Sequence, residues 1–150
     1  MRVVLQRVKR ASVLVNSQIV GSIQEGLLLL VGIERGDTCQ DAERLTEKVV
    51  HLRIFADECG KMNRSLLDVK GGLLLVSNFT LGADCRKGRR PSFENAAPAE
   101  EAFALYQYLG QMFAQFKDLT VAFGTFGASM QVCMEGDGPV TIALDSAQLK

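Results

Sequence analysis

Short apolar runs with polar alternates fill the first third of the chain. The runs at residues 2–8, 12–15 and 19–23 are rich in β-branched residues, and Asn16-Ser17 and Gly21 fall where turns are needed. Residues 27–33 are apolar or glycine throughout, and this length fits a strand that is covered on both faces. The pattern predicts an antiparallel opening followed by a central strand.

Two later segments have the three- and four-residue spacing of apolar positions that is typical of an amphipathic helix. The apolar positions are Ala42, Leu45, Val49 and Leu52 in the first segment, and Phe103, Tyr106, Leu109, Phe113 and Phe116 in the second. Asp37 with Gln40 has the form of an N-terminal cap for the first helix. Pro98 suits the first turn of the second helix.

The remaining elements complete a strand-rich order. We predict a strand near 73–77, a long surface loop over the small, polar and basic residues 82–98, and further strands near 119–123, 130–134 and 140–144. Two helices cannot cover a sheet of seven or eight strands, so a second β layer or a partner subunit must cover the rest. The order predicts one domain, residues 1–150, of the mixed α/β class.

Composition and charge narrow the possible functions. The chain is 47% hydrophobic and 23% charged, which are ordinary globular values, and its formal net charge is zero. A polyanionic partner would therefore be held by a local patch. No apolar run approaches the length of a membrane span, and no signal-peptide pattern follows Met1, so we expect a cytoplasmic protein. The four cysteines are far apart, which favours reduced thiols.

The inventory of catalytic side chains is small. His51 is the single histidine, and its place beside Val49 and Leu52 favours a half-buried helix residue over a catalytic relay. No cluster of metal-ligating residues and no glycine-rich phosphate-binding motif occurs, so we expect no metal and no cofactor. An enzyme with this sequence would work mainly with backbone groups, hydroxyls and amides.

Two segments have both a plain and a functional interpretation. Gly138-Pro139 carries two backbone carbonyls without a proline N–H, so it can present bare oxygens to a ligand. On spacing alone, a turn between two strands is the more common role of such a pair. Residues 77–81 fit either a buried strand with a polar end or the floor of a pocket.

Five motifs in collinear order resemble the D-aminoacyl-tRNA deacylases. They are Gln6-Arg7-Val8 with Arg10-Ala11-Ser12-Val13, Ser77-Asn78-Phe79-Thr80-Leu81, Arg90-Pro91-Ser92-Phe93, Gly127-Ala128 with Met130-Gln131-Val132, and Gly138-Pro139-Val140-Thr141. The resemblance runs from Met1 to about Leu144. It implies a barrel-like, dimeric fold with two β layers and two main helices on one side. It also implies a cofactor-free enzyme that hydrolyses the ester bond of D-aminoacyl-tRNA and of tRNA mischarged with glycine.

The resemblance assigns the Gly-Pro pair to substrate recognition. In that family the bond is cis, and its two carbonyls enter the active site of the other subunit. Gly138 and Pro139 would hold the α-amino group and exclude an L side chain, while a D side chain points outward. Arg7 matches the arginine that holds this loop in place. Val140 follows the pair, and Thr141 would support Pro139.

Residues 77–81 would form the floor of the pocket, whose lining the resemblance assigns to Phe79, Ala128 and Met130. Ser77 and Asn78 belong to the same candidate catalytic segment as Thr80. Thr80 is one candidate nucleophile; alternatively the 2′-OH of the tRNA assists while backbone N–H groups stabilise the oxyanion. A threonine nucleophile needs an adjacent base, and with one histidine available the sequence favours the second route.

Two positions depart from the family pattern, which usually has glutamine at Asn78 and asparagine at Gly136. The Asn78 amide reaches one methylene less, so its hydrogen bond would be lost or rerouted through water. The missing side chain at Gly136 would loosen the following Gly-Pro loop.

A basic cluster follows the candidate pocket segment. Four positive charges lie within five residues, at Arg86, Lys87, Arg89 and Arg90. This segment is either a solvated loop or the contact to the acceptor stem of aminoacylated tRNA. Two other functions stay open: a sister activity on L-alanyl-tRNA with a trans Gly-Pro bond, and a non-catalytic dimeric tRNA-binding module. Val140 and Arg7 favour the D-specific enzyme.

Overall fold

Eight strands and two α-helices make up the computed structural model, which describes residues 1–150. The elements are β1 (Arg2–Val15), β2 (Gln18–Ile23), β3 (Gly26–Gly32), α1 (Cys39–His51), β4 (Phe55–Ala56), β5 (Met62–Arg64), β6 (Gly72–Ser77), α2 (Ala99–Ala114), β7 (Thr120–Phe123) and β8 (Gln131–Asp145). Short 3₁₀ turns lie at Phe79–Gly82 and Ser146–Gln148. Neither α-helix is long and apolar enough to cross a membrane.

Six of the strands form one sheet in the order β2-β1-β3-β6-β7, with β8 also paired to β1. The pairs of β1 with β2, β3 and β8 are antiparallel, whereas β3–β6 and β6–β7 are parallel. The ends of this order approach each other, because a Cβ added at Gly21 in β2 would lie 2.3 Å from the carbonyl oxygen of Phe123 in β7. The sheet therefore curls into a nearly closed barrel.

Two apolar clusters fill the two sides of the curled sheet. The larger packs the sheet against both helices, with Leu29 and Leu75 meeting Leu45 and Phe113. The smaller lies inside the curl, where Val13 and other residues of β1 and β2 meet residues of β3 and β6. The second β layer is thus the opposite wall of the same sheet. The predicted mixed α/β class, barrel-like sheet and pair of helices are confirmed.

The structure corrects two predicted strand boundaries. Residues 2–8 and 12–15 belong to one continuous strand, β1, and residues 130–134 and 140–144 lie almost entirely within one strand, β8. In the register of these two strands, Val8 faces Gly136 and Gln6 faces Thr141, so residues 137–140 bulge out opposite Arg7 alone. The interpretation of Gly138-Pro139 as a turn between separate strands is therefore wrong. The proline, which cannot donate to the ladder, sits in a bulge of an edge strand.

The start of helix α1 also differs from the prediction. Thr38 is the N-cap, and its amide and hydroxyl donate to the Asp41 carboxylate at 2.8 and 2.9 Å. Asp37 instead accepts from the Glu34 amide at 2.7 Å and from the Met1 amino group. The predicted cap of Asp37 with Gln40 is therefore wrong by one residue at each position, because Asp37 is occupied by partners in the turn before the helix.

The predicted long loop before α2 is confirmed, and the chain holds it in a defined conformation. Asp84 and Ser92 exchange two backbone hydrogen bonds, at 2.8 and 2.9 Å, so the intervening residues form a hairpin-like projection. Further along, Ala97 donates to the carbonyl of Ile33 at 3.0 Å, just beyond β3. The loop thus crosses the edge at which the parallel strands end.

Candidate active site

The candidate site lies where the parallel strands β3, β6 and β7 end. Because these strands run in the same direction, their carboxyl ends meet at one edge of the sheet. The chain leaves β6 at Ser77, and the amide of Asn78 donates to the Val31 carbonyl in β3 at 2.7 Å. This bond holds the beginning of the 77–81 segment against its neighbouring strand.

A cavity of about 350 Å³ opens at this edge. It brings together five of the residues predicted for the site, namely Ser77, Asn78, Phe79, Ala128 and Met130. Ser77 and Asn78 supply its polar side chains, and the remaining lining is apolar or glycine. Pockets of this size and character are typical of small-ligand sites.

The opposite wall of the cavity comes from residues that the sequence reasoning missed. They are Ala96 and Ala97 of the long loop, Ala99 and Ala102 of α2, and Phe126. The small side chains leave room where the loop and α2 approach the sheet. The only sequence signal for them is the run of alanines around Pro98, which composition alone assigns equally well to a loop and a helix start.

A buried tyrosine supports this wall. The Tyr106 hydroxyl donates to the Leu75 carbonyl at 2.9 Å, and its ring packs against Phe126 with centroids 5.7 Å apart. Burial raises the pKa of Tyr106 to about 12, so the hydroxyl stays protonated near neutral pH and keeps its role as a donor. Tyr106 therefore ties α2 to β6 behind the cavity.

Thr80 lies beside the cavity without a basic partner. Its hydroxyl donates to Oδ1 of Asn78 at 2.5 Å. A neutral amide oxygen is too weak a base to act as a general base for this hydroxyl. His51 lies elsewhere, exposed at the end of α1, with Nδ1 2.9 Å from the Glu47 carbonyl oxygen. The sequence predicted a half-buried His51, and this prediction is wrong. The surroundings of Thr80 do not activate it as a nucleophile.

The backbone of the same segment offers hydrogen-bond donors. In the 3₁₀ turn Phe79–Gly82, the first internal bond runs from the Leu81 amide to the Asn78 carbonyl at 3.3 Å. The amides of Phe79 and Thr80 precede this bond and are not used by the turn. Two successive N–H groups beside the cavity are the kind of donor that stabilises a developing oxyanion.

The Gly138-Pro139 bond, which is cis, lies in the exposed bulge of strand β8. Arg7 contacts this loop, with Nε 3.2 Å from both the carbonyl and the Oδ2 of Asp137. Its Nη1 also donates to the Ile54 carbonyl at 2.5 Å. Arg7 therefore joins the loop to the segment after α1.

The two residues after the pair continue strand β8. Val140 is half-buried against the main core. Thr141 is exposed, and its hydroxyl oxygen accepts a hydrogen bond from Nε2 of the Gln6 side chain at 3.4 Å. None of residues 138–141 lines the cavity of its own chain. Residues 138–141 are thus a second group of predicted site residues, separate from the residues that line the cavity.

A third group forms the tip of the long loop. Arg86 makes a bidentate pair with Asp84, Nε to Oδ1 at 2.9 Å and Nη2 to Oδ2 at 2.6 Å. These bonds hold the pKa of Asp84 at about 2. Lys87, Arg89 and Arg90 are exposed and have no ion-pair partner. The loop therefore presents three free cations and a fourth that is already paired.

Comparison with known proteins identifies the family. The family model described as D-Tyr-tRNA(Tyr) deacylase matches residues 4–145. The chain belongs to the D-Tyr-tRNA(Tyr) deacylase family. This confirms the resemblance found in the sequence motifs.

Proteins named D-aminoacyl-tRNA deacylase match the chain over nearly its whole length. It is 57% identical to the D-aminoacyl-tRNA deacylase of Thermomicrobium roseum, covering 100% of this chain and 97% of the relative. It is 51% identical to that of Thermosipho melanesiensis, covering 99% of each.

Several solved structures are similar, and two of them illustrate the range of sequence identity. A c-Myc DNA unwinding element binding protein has a TM-score of 0.89 and 38% identity over 97% of this chain and 98% of its own. A probable eukaryotic D-amino acid tRNA deacylase has a TM-score of 0.83 and 20% identity over 95% and 97%, and supports the fold alone.

The structure accommodates both residues that depart from the expected family pattern, Asn78 and Gly136. Asn78 keeps a partner within its own segment, because its Oδ1 accepts the Thr80 hydroxyl. At Gly136 a Cβ would have only the Met134 Cε within 4 Å, at 3.8 Å, so the position is open. The missing side chain at Gly136 leaves no gap in the core.

The pairing of Arg86 with Asp84, and the absence of such a partner for Arg89, can be tested by titrating Asp84. We expect Asp84 to titrate near pH 2 and the variant Arg86→Leu to return its pKa toward the ordinary 3.8, as followed by carboxyl carbon NMR. Because the folded pKa lies below the unfolded one, the pair's stabilisation is complete above the unfolded pKa and is lost as the pH falls through about 2. The matched variant Arg89→Leu should leave the Asp84 titration unchanged. An Asp84 titration that ignores the loss of Arg86 would contradict the pairing.

Proposed function

We propose that this protein is a cytoplasmic hydrolase that cleaves the ester bond of D-aminoacyl-tRNA, and of tRNA mischarged with glycine, releasing the free amino acid and tRNA. The observation that carries the proposal is the cavity at the end of β6, in which Ser77, Asn78, Phe79, Ala128 and Met130 converge. Relatives that match the chain over almost its full length carry the name D-aminoacyl-tRNA deacylase.

The reaction is a water-dependent acyl transfer. A water oxygen bonds to the carbonyl carbon of the ester, the bond from that carbon to the ribose oxygen breaks, and the ribose oxygen takes up a proton. The amides of Phe79 and Thr80 would stabilise the negative charge that develops on the carbonyl oxygen. Removing one such donor typically costs about 10² to 10³ in rate, so backbone donors can carry much of the catalysis.

The nucleophile in this proposal is water, and the 2′-OH of the tRNA assists it. Thr80 has no general base beside it, because its hydroxyl donates a hydrogen bond to the neutral side-chain amide of Asn78. The histidine that would have to serve as a base lies on α1, bound to its own helix. Asn78 and Thr80 instead position the turn whose amides face the ester.

Discrimination against L-amino acids would come from the Gly138-Pro139 loop of a second copy. The loop is exposed, is joined to the rest of the chain by Arg7, and is absent from the cavity of its own chain. Placed in the cavity of a partner, its two bare carbonyls would accept hydrogen bonds from the substrate α-amino group. An L side chain would then collide with the loop, whereas a D side chain would point away.

The sheet offers a surface on which the second copy can pack. A shallow depression of about 410 Å³ adjoins the cavity through Ser77, Asn78 and Met130. Its outer part includes Val132 and Met134 of β8, which are 40% and 44% exposed. Exposed apolar side chains next to an incomplete site favour a homodimer with the active site at the interface.

One assay separates the three candidate functions. We incubate the protein with D-tyrosyl-, L-tyrosyl-, L-alanyl- and glycyl-tRNA and follow release of the amino acid. Hydrolysis of the D-tyrosyl and glycyl esters, with both L esters retained, is the expected result, because the loop rejects an L side chain. Loss of L-alanyl-tRNA would support the sister activity instead. Retention of all four esters by protein that binds the tRNA would leave only the non-catalytic module.

The free cations of the long loop should set the affinity for tRNA. We expect replacement of both Arg89 and Arg90 by Ala to raise the KM for D-tyrosyl-tRNA and to lower its logarithmic salt slope by about 2, one for each lost phosphate contact. The matched control replaces Arg44 and Lys48 on α1, which removes the same charge elsewhere on the surface. If the loop variant and the control variant have the same KM and salt slope, the cluster has no part in binding.

A further inference from the structure

Two aromatic side chains stand exposed together at the edge of the cavity. Phe79 is 58% and Phe93 38% exposed, and their rings meet edge to face with centroids 5.1 Å apart and an interplanar angle of 72°. Single exposed apolar residues are common, but a preorganised aromatic pair beside a ligand cavity is a candidate contact surface. The roles proposed so far use only the backbone and cavity side of Phe79 and leave Phe93 without any.

The main chain fixes both members of the pair. Phe79 begins the turn that follows β6. Phe93 follows Ser92, which is paired with Asp84, and its carbonyl accepts from the Ala96 amide at 3.0 Å. The aromatic surface is therefore held in place before any ligand arrives, which lowers the entropy cost of binding to it.

The position of the pair combines two kinds of contact. Phe79 lines the cavity proposed for the aminoacylated nucleotide, and Phe93 comes three residues after Arg90 on the same loop. Arg89 and Arg90 are exposed and have no ion-pair partner. Aromatic faces next to free cations are the combination with which proteins bind single-stranded nucleic acid, since bases stack on the rings and phosphates contact the cations.

We propose that the Phe79–Phe93 pair is a stacking platform for an unpaired base of the tRNA 3′ end, next to the aminoacylated nucleotide in the cavity. An edge-to-face pair leaves the faces of one ring available, and any base can stack on such a face. The platform would orient the 3′ end without reading its sequence. This inference rests on the proposed function, because it places the ester in the cavity that Phe79 lines.

The simpler role for Phe93 is an apolar cover over Phe79. Phe93→Leu tests the difference, because leucine keeps an apolar side chain on Phe79 but has no flat face. Phe93→Trp restores a flat face and should restore stacking. A cover would tolerate Leu at least as well as the bulkier Trp.

The kinetic test compares two substrates for each variant: D-tyrosyl-tRNA and the D-tyrosyl ester of adenosine, which lacks neighbouring bases. We expect Phe93→Leu to raise the KM for the tRNA about tenfold, with no comparable rise for the adenosine ester, and Phe93→Trp to recover most of the loss. Equal losses on both substrates, or no loss on the tRNA, would overturn the platform.

A binding measurement separates failure of this inference from failure of the proposed function. Uncharged tRNA with 2-aminopurine next to the terminal adenosine is titrated with each variant, and stacking is read from quenching of its fluorescence. The wild type and Phe93→Trp should quench the emission, and Phe93→Leu should not. Quenching that is the same in all three variants contradicts the platform whether or not any ester is hydrolysed. A wild type that quenches in this way but hydrolyses neither ester contradicts only the proposed function.

Discussion

The parallel pairing of β3, β6 and β7 is the constraint on which the site depends. The β3 and β6 backbones are so close where these strands begin that a Cβ on Gly26 would lie 1.9 Å from the Gly72 carbonyl oxygen. In the register of these strands Val31 pairs with Ser77 and Leu75 pairs with Phe123, so all three strands end at one edge. There the 77–81 segment, the long loop and the start of α2 enclose a cavity that no single stretch of the chain forms alone.

Sequence reasoning succeeded where the determining interactions are local or periodic. The apolar run at 27–33 and the two helical apolar patterns were predicted correctly, because the spacing of apolar residues matches the period of the strand or helix that buries them. It failed where a distant partner decides. Pro139 interrupts the pattern of β8, yet the strand resumes after it because β1 offers a continuous partner on both sides of the bulge. The alanines that line one side of the cavity could not be predicted either, since they become lining residues only when the long loop and α2 pack against the sheet.

Most site residues predicted from the family motifs either line the cavity or belong to the Gly-Pro loop of β8 and its partner Arg7. Strands β1 and β3 stand between β8, which carries the Gly-Pro loop, and β6, which ends at Ser77. A rigid sheet does not let one chain bring the two groups together. A second copy that completes the site would explain why Arg7 holds an exposed loop and why apolar residues of β8 are exposed. The proposed stereochemical selectivity would then be a property of the dimer.

Complementation between two defective chains tests this central claim most directly. One variant fills the cavity, by Ala128→Trp, and the other replaces residues 137–140 with a single alanine, so that β8 keeps its pairing with β1. Each variant alone should be inactive on D-tyrosyl-tRNA, because the first cannot admit the substrate and the second cannot hold the substrate α-amino group. Refolded together, they should recover about a quarter of the wild-type rate, because half of the dimers then hold one intact cavity facing one intact loop. Mixed dimers that form but remain inactive would show that the loop does not act on a partner's cavity, and would contradict the account.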